Sequence, residues 1–250
     1  MNPKKTVLAA ITAALLVPLA ACGSKDDGTT LTVFAAASLT STFTELGTEF
    51  EAAHPGVHVV FDFGGSSDLV AAIQGGAGAD VFASADTANM DKLSQDGTAT
   101  APKDFATNVL EIATPPGNPA HITGFADLGK AGVKVVVCAD GVPCGTAAAT
   151  MEQRTGVTIH PVSEEQSVTD VLGKVESGDA DAGLVYVTDV TAAGDKVTGV
   201  PFKQAQQVVN TYPISVLHDS AQTATAQQFV DFVLGAQGRK VLHDAGFGRP

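Results

Sequence analysis

The sequence has few positive charges and few large aromatic rings. Lys and Arg together number 14, against 27 Asp and Glu, which leaves a formal net charge of −13. No basic patch of the kind that proteins use to bind nucleic acids is visible, so we expect no nucleic-acid partner. The chain has no Trp and only two Tyr, which argues against sugar stacking on aromatic side chains. Net acidity still permits an anionic ligand that is held by local dipoles.

Motifs of common enzyme classes are also missing. The His residues do not occur in HxH or HExxH spacing, which argues against a metal site of those kinds. Neither the GxSxG turn of hydrolases nor the GxxxxGK[ST] phosphate loop occurs. The stretch GGSSD (residues 64–68) has the small residues of a phosphate turn but lacks its lysine. We therefore expect a protein that is not an enzyme and that uses neither a cofactor nor a metal ion.

The N-terminus carries the pattern of an export signal. Lys4 and Lys5 precede the apolar run TVLAAITAALLVPLAAC, which is too short and too rich in alanine for a good membrane-spanning helix. Its small-small-Cys ending is typical of a bacterial lipoprotein signal, whereas the alternative is an ordinary secretory signal with a chance Cys. We predict a signal peptide over residues 1–21, lipidation of Cys22 and a polar tether over residues 22–30. The mature chain would then sit outside the cytoplasm, anchored by lipid to the outer face of the cell membrane.

The two remaining cysteines, Cys138 and Cys144, lie close together in the stretch VVVCADGVPCG. In an exported chain a disulfide between them is the default expectation. Their spacing does not match a CxxC redox motif, and no neighbouring His completes a metal site. A disulfide that closes so short a loop stabilises by roughly 2 kcal/mol in the chain-entropy model, so its main effect would be to stiffen this turn.

Strand and helix patterns alternate along the mature chain. The stretch LTVFAAA reads as a strand, and the spacing of Leu39, Phe43, Leu46 and Phe50 then predicts a helix over residues 39–50. The alternation continues to TAQQFVDFVLGAQGRKVLHDAGF, which predicts two helices or one interrupted helix. No internal repeat or long linker is visible. The pattern predicts an α/β fold with a mainly parallel sheet.

Several predicted helices begin with small or hydroxyl residues. The first N–H groups of a helix have no internal partners, and the helix dipole adds partial positive charge there, so such a start suits an anion. The candidates are Ser38 before helix 39–50, Ser66 with Ser67 before helix 68–74, Cys144 after Pro143 in a first turn, and Val168 after a Ser167 cap. Each serine has the alternative role of an ordinary cap. Tyr186, isolated in apolar GLVYVTD, either supplies a further hydroxyl or packs in the core.

Five segments in this order and spacing resemble the periplasmic molybdate-binding proteins of ABC importers: TVFAAASLT, GGSSDLV, GADVFASAD, VPCG and GLVYVTD. The resemblance implies a type II periplasmic-binding-protein fold, in which two α/β lobes joined by two crossover strands close over one tetrahedral oxyanion. It implies these contacts to molybdate or tungstate: hydroxyl and amide of Ser38 and Ser66, backbone N–H of Cys144 and Val168, and the phenolic O–H of Tyr186. It also implies an ABC transporter permease as partner, and we expect a monomer.

The lobe boundaries follow from the expected crossings. Lobe 1 would comprise residues 30–109 and 213–250, and lobe 2 residues 110–212, with hinges near residues 108–112 and 210–214. Ligand contacts would then come from both lobes, so the ligand would favour the closed form through its differential affinity.

The resemblance implies a site built from neutral donors. A buried dianion is tolerated only when each oxygen is hydrogen-bonded. Cavity size and donor placement would favour molybdate or tungstate over the smaller sulfate, and partly protonated phosphate would bring an O–H donor into a site of donors. The alternatives left open are the same fold with sulfate, phosphate or ferric ion, an exported enzyme, and a surface adhesion lipoprotein.

Overall fold

The computed structural model describes residues 28–250, so the predicted signal peptide, the lipidation site Cys22 and most of the predicted tether lie outside the described residues. The strands are β1 (Thr29–Ala36), β2 (Val57–Gly64), β3 (Val81–Ala83), β4 (Lys103–Thr114), β5 (Val135–Cys138), β6 (Ser163–Glu165), β7 (Ala182–Tyr186), β8 (Thr198–Val200) and β9 (Val209–Val216). The α-helices are α1 (Thr40–Ala53), α2 (Ser66–Gln74), α3 (Thr87–Gln95), α4 (Pro143–Thr155), α5 (Val168–Glu176), α6 (Val187–Ala193), α7 (Thr223–Leu234) and α8 (Ala236–Asp244).

The strands form a mixed sheet in the order β2-β1-β3-β9-β4-β7-β5-β6, with β8 paired to β4. Strand β1 runs parallel to β2 and β3, and β5 runs parallel to β6 and β7. The long strands β4 and β9 are antiparallel to each other and to their other neighbours. The prediction of a mainly parallel sheet therefore holds only at the two ends, because β4 leaves one half of the molecule and β9 returns to it.

The hydrophobic core divides into two halves along these crossover strands. One half packs residues of β1–β3 with α1, α7 and α8, and a smaller cluster under α2 and α3 adjoins it. The other half packs residues of β5 and β7 with α4 and α5, and it includes Leu110 and Ile112 from the far end of β4. We call the first half lobe 1 and the second lobe 2.

The observed helix starts agree with the sequence predictions in lobe 2 and differ in lobe 1. Pro143 is the first residue of α4, and Ser167 caps α5 by accepting the Asp170 N–H at 3.2 Å. In lobe 1, a 3₁₀ turn over Ala37–Leu39 precedes α1, so Ser38 lies in that turn and does not cap the helix. Ser66 is the first residue of α2, and Gly65 takes the cap position.

Helix α6 was not predicted, because its residues continue the apolar pattern of β7. The stretch AGLVYVTDV reads as one strand, yet β7 ends at Tyr186. The Asp189 carboxylate accepts the Tyr186 N–H at 2.8 Å, which takes that donor out of the strand ladder and starts a helical turn. The C-terminal pattern forms two helices, α7 and α8. From residue 28 onward, no helix combines the length and the apolar character that crossing a membrane requires.

Candidate functional site

All five candidate site residues line one small cavity between the lobes. The space not filled by atoms there is about 200 Å³, a value that includes the solvent at the open side of the cavity. Its lining comprises Ala36, Ala37, Ser38, Gly64, Gly65, Ser66 and Ala85 from lobe 1, and Val142, Pro143, Cys144, Val168 and Tyr186 from lobe 2. Residues from six separate stretches of sequence thus meet at one point, because the carboxyl ends of β1, β2, β3 and β7 face the same cleft.

Lobe 1 contributes two serines that follow the ends of β1 and β2. Ser38 is half-buried in the turn after β1, and its Oγ lies 3.0 Å from the Tyr212 hydroxyl. Ser66 is 1% exposed, and its Oγ accepts the Ala85 N–H at 3.0 Å. This bond leaves the Ser66 hydroxyl proton free to donate elsewhere. As the first residue of α2, Ser66 also has a backbone N–H without a partner inside the helix.

Lobe 2 contributes two helix N-termini to the same cavity. Cys144 is the second residue of α4 and Val168 the first residue of α5, so neither N–H has a partner inside its helix. Both side chains are buried. The Cys144 sulfur is bonded to that of Cys138 at the end of β5, with the two Cα atoms 5.6 Å apart. This link fixes the start of α4 to the strand that precedes it.

Tyr186 lies at the end of β7, where its hydroxyl receives a hydrogen bond from a buried amide. Its side chain is 1% exposed, and the Asn210 Nδ2 donates to its Oη at 3.1 Å. Burial, followed by the nearby Tyr212, Asp189 and Asp86 groups, raises the pKa of Tyr186 well above its ordinary value. The hydroxyl therefore keeps its proton at neutral pH and remains a donor.

The cavity lining contains no charged side chain. Two carboxyls lie near Tyr186, of which Asp189 is buried and Asp86 half-buried. Burial raises the pKa of Asp86, against the opposing hydrogen bonds from Asn89, and it raises the pKa of Asp189 to about 7, against the bond from the Tyr186 N–H. Within residues 28–250, no group of three or more His, Cys, Asp or Glu side chains is placed to hold a metal ion. The cavity thus offers neutral hydrogen-bond donors, which suits a small anion rather than a cation.

The lobes touch around this cavity. A Cβ placed on Gly65 would lie 2.1 Å from the carbonyl oxygen of Gln166 in lobe 2, so only glycine permits this approach. A second contact is the hydrogen bond from the Asn89 Nδ2 of lobe 1 to the Gly141 carbonyl at 3.2 Å. The structure therefore shows the two lobes closed over the cavity.

Sequence reasoning missed three residues that shape this site. In the sequence, Gly65 is only one of the small residues of a turn, yet its lack of a side chain permits closure. Asn210 and Tyr212 fall in the predicted hinge region, yet they contact the candidate donors Tyr186 and Ser38, respectively. The available signal was their spacing, because Asn210 and Tyr212 are two residues apart and so project from the same face of β9.

Comparisons with known proteins agree with this geometry. The model of the bacterial extracellular solute-binding protein family matches residues 31–248. Over 251 residues the chain is 49% identical to the molybdate-binding protein ModA of Mycobacterium tuberculosis, and the match covers 96% of each protein.

Two solved structures resemble the fold. The periplasmic molybdate-binding protein of Azotobacter vinelandii has a TM-score of 0.77 at 24% identity, covering 88% of this chain and 99% of that one. The sulfate-binding protein SubI of Mycobacterium tuberculosis has a TM-score of 0.76 at 20% identity, covering 88% and 86%. At these identities the likeness concerns the fold alone, and it confirms the predicted arrangement of two α/β lobes joined by crossover strands. The chain therefore belongs to the bacterial extracellular solute-binding protein family, a family of binding proteins rather than enzymes.

Proposed function

We propose that the protein binds molybdate, and tungstate as its close analogue, in the cavity between the lobes and delivers it to an ABC importer. The observation that carries this proposal is the convergence of Ser38, Ser66, Cys144, Val168 and Tyr186 on one cavity without a charged lining residue. The 49% identity to a molybdate-binding protein over 96% of the chain supports the choice of anion. The anion is cargo and not a cofactor.

In the proposed complex, lobe 1 donates through the hydroxyl and amide of Ser38 and of Ser66. Lobe 2 donates through the N–H groups of Cys144 and Val168 and through the Tyr186 O–H. Moving a charged group out of water costs several kcal/mol per charge even after relaxation. Each hydrogen bond to a charged group returns about 1.5–3 kcal/mol, so several donors together offset that cost without a Lys or Arg.

The donor set also accounts for discrimination between anions. Phosphate near neutral pH is partly protonated and brings an O–H into a site where donors predominate, which leaves two donors facing each other. Sulfate is fully ionised but smaller than molybdate, so it cannot reach donors on both lobes equally well. The fold itself does not choose between these anions, because a sulfate-binding protein has nearly the same TM-score as a molybdate-binding one.

Binding is coupled to closure in this proposal. We assign residues 30–109 and 213–250 to lobe 1 and residues 110–212 to lobe 2, with the hinge in the paired segments of β4 and β9 around Asn108 and Asn210. The first strand begins at Thr29, whose N–H donates to the Gly56 carbonyl at 2.7 Å, so we place the end of the tether at residue 28, two residues before its predicted limit. An anion that bonds to both lobes stabilises the closed form, which a permease can distinguish from the open form.

The cellular setting forms part of the same proposal. Family membership indicates a protein that acts outside the cytoplasm. We propose further that residues 1–21 are removed as a signal peptide, that Cys22 carries the lipid anchor on the outer face of the membrane, and that the protein acts as a monomer. Mass spectrometry of the membrane-extracted protein tests the anchor: a diacylglyceryl mass on an N-terminal Cys22 is expected, and an unmodified N-terminus would contradict it.

Thermal unfolding with a panel of anions tests the proposed ligand. A ligand present at about a thousand times its dissociation constant adds roughly 4 kcal/mol of stability, which raises the midpoint on the order of 10 °C for a chain of this size. We expect this rise with molybdate and tungstate and little change with sulfate or phosphate. A rise with sulfate alone would move the proposal to another anion, and no rise with any anion would contradict it.

Paired variants test the proposed site. The double variant Ser38→Ala/Ser66→Ala removes two hydroxyl donors from the cavity, whereas Ser41→Ala/Ser67→Ala removes two hydroxyls that lie nearby but outside its lining. We expect the first pair to abolish the molybdate-induced rise and the second to retain it. Equal rises in both would show that the anion binds elsewhere.

A further inference from the structure

Asn210 occupies a central position in the crossover. It lies in β9 directly opposite Asn108 of β4, and both side chains are buried. Tyr212 follows two residues later, so its side chain lies on the same face of β9. A polar amide in a buried strand must find partners, and those of Asn210 belong to both lobes.

Two hydrogen bonds from one nitrogen fix the Asn210 amide. Its Nδ2 donates to the Ala85 carbonyl at 3.0 Å and to the Tyr186 Oη at 3.1 Å. Ala85 belongs to lobe 1 and Tyr186 to lobe 2. The opposite orientation of the amide would place the Asn210 carbonyl oxygen against the Ala85 carbonyl, where two acceptors repel each other. The contact with Ala85 therefore determines which Asn210 atom faces the tyrosine.

This orientation sets the role of the Tyr186 hydroxyl. An amide NH₂ group can only donate, so Tyr186 Oη must accept from it, and the single phenolic proton is left to donate. Tyr186 lines the cavity, as do Ala85 and Ser38. The Tyr212 hydroxyl meanwhile lies 3.0 Å from Ser38 Oγ, so strand β9 supports one candidate donor on each lobe.

We propose that Asn210 is a positioning residue for anion binding, which holds the Tyr186 oxygen as an acceptor so that its proton points into the cavity between the lobes. The inference rests on the proposed function, because it concerns how one of its donors is oriented. It also gives the hinge strand a direct part in binding. In the arrangement seen here, Asn210 contacts Ala85 and Tyr186 at once, so one amide links a residue of each lobe.

A double-mutant cycle in molybdate affinity tests the inference. Tyr186→Phe removes the donated proton, and Asn210→Ala removes the group that orients it. We expect each single variant to weaken binding about 10- to 150-fold, the effect of one hydrogen bond to a charged group. The double variant should bind about as weakly as Tyr186→Phe alone, because the amide has nothing left to orient.

Asn108→Ala is the matched control. It removes the buried amide that faces Asn210, and that amide donates to the Thr188 hydroxyl at 2.8 Å rather than to Tyr186. The fold-loss of molybdate affinity in Asn108→Ala should be independent of Tyr186, so it should multiply with the fold-loss from Tyr186→Phe in the double variant. If the fold-losses of Asn210→Ala and Tyr186→Phe also multiply, Asn210 acts only on the stability of the hinge and the inference is wrong.

Tyrosine absorption provides a second readout that does not depend on affinity. The chain has no Trp and only two Tyr, so Tyr212→Phe leaves Tyr186 as the sole strong near-ultraviolet chromophore. In that background, saturating molybdate should shift the tyrosine spectrum as the phenol donates to the anion. Adding Asn210→Asp, which keeps the side-chain shape but presents an acceptor to the phenol, should reduce or abolish this shift. An unchanged shift at saturation would overturn the inference.

The outcomes separate this inference from the proposed function. If the unmodified protein does not bind molybdate, or if Tyr186→Phe binds as tightly, the proposed site fails and the inference fails with it. If both expectations hold but Asn210 is uncoupled from Tyr186, only the inference fails. Asn210→Asp also serves in the cycle if Asn210→Ala does not fold, since it retains the volume of the buried side chain.

Discussion

Gly65→Ala tests whether the closed arrangement is the form that binds. Gly65 has φ −61° and ψ 135°, a backbone conformation that alanine adopts without strain. The new methyl group meets nothing unfavourable in lobe 1 among its nearest neighbours, but it would lie 2.1 Å from the Gln166 carbonyl oxygen of lobe 2. The substitution therefore acts on closure and leaves the conformation of lobe 1 unchanged.

The size of the effect follows from this contact. Real Cβ atoms essentially never approach another atom within 3.0 Å, so Gln166 must retreat by about 1 Å. Gln166 immediately precedes Ser167, the cap of α5, so the Val168 N–H moves with it. A hydrogen bond that lengthens by about 1 Å from its usual 2.9 Å is lost. Losing one such bond to an anion costs about 1.5–3 kcal/mol, which weakens binding roughly 10- to 150-fold.

Calorimetric titration with molybdate measures this effect, and thermal unfolding without ligand provides the companion measurement. We expect weaker binding together with an unliganded midpoint that is unchanged or slightly higher, because alanine reduces the entropy of the unfolded chain. Gly173→Ala is the control, since its methyl group would meet no atom within 4 Å. Wild-type affinity in Gly65→Ala would refute the reasoning that the anion is bound between closed lobes.

Three further predictions concern the donor, the disulfide and the buried acid. Tyr186→Phe should retain the fold and bind molybdate about 10- to 150-fold more weakly in a calorimetric titration, whereas unchanged affinity would remove the tyrosine from the site. Replacing Cys138 and Cys144 by Ser should lower the free energy of unfolding by about 2 kcal/mol in urea titrations, and an unchanged midpoint would contradict a stabilising link. Burial raises the pKa of Asp189 to about 7, so the folded state binds more protons than the unfolded state, and stability should fall as pH rises from about 4 to 7 and then level off. The contribution of Asp189 to this fall should be on the order of 4 kcal/mol and should disappear in Asp189→Asn; equal pH profiles for both proteins would contradict it.

The sequence was sufficient to predict the elements that depend on local chemistry. Pro143 and Ser167 mark the starts of α4 and α5 because their effects act within one turn of helix. Local chemistry was less informative at Ser38, where the chain makes a 3₁₀ turn before α1, and at Tyr186, where the Asp189 carboxylate ends an apolar strand. At such points packing decides whether the chain makes a local turn or continues the helix or strand that its apolar pattern predicts.

Convergence of the site could not be derived from local patterns. Ser38 and Tyr186 are far apart in sequence, and they meet only because β4 and β9 carry the chain between the lobes and back. The resemblance to a family supplied the five positions, while periodicity supplied only separate helix starts. The contact of Asn210 with Tyr186 needs knowledge of the strand register, and the Gly65 approach needs the closed arrangement of the lobes.

A crystal structure of the molybdate complex, with anomalous data collected at the molybdenum absorption edge, would show directly whether the anion binds between the lobes through neutral donors. We expect one strong anomalous peak in the cavity between the lobes, with anion oxygens about 2.7–3.2 Å from the donors of Ser38, Ser66, Cys144, Val168 and Tyr186. We expect no Lys or Arg side chain in contact with the anion. A peak at another position, or a cavity without a peak in crystals grown with saturating molybdate, would contradict the proposed site.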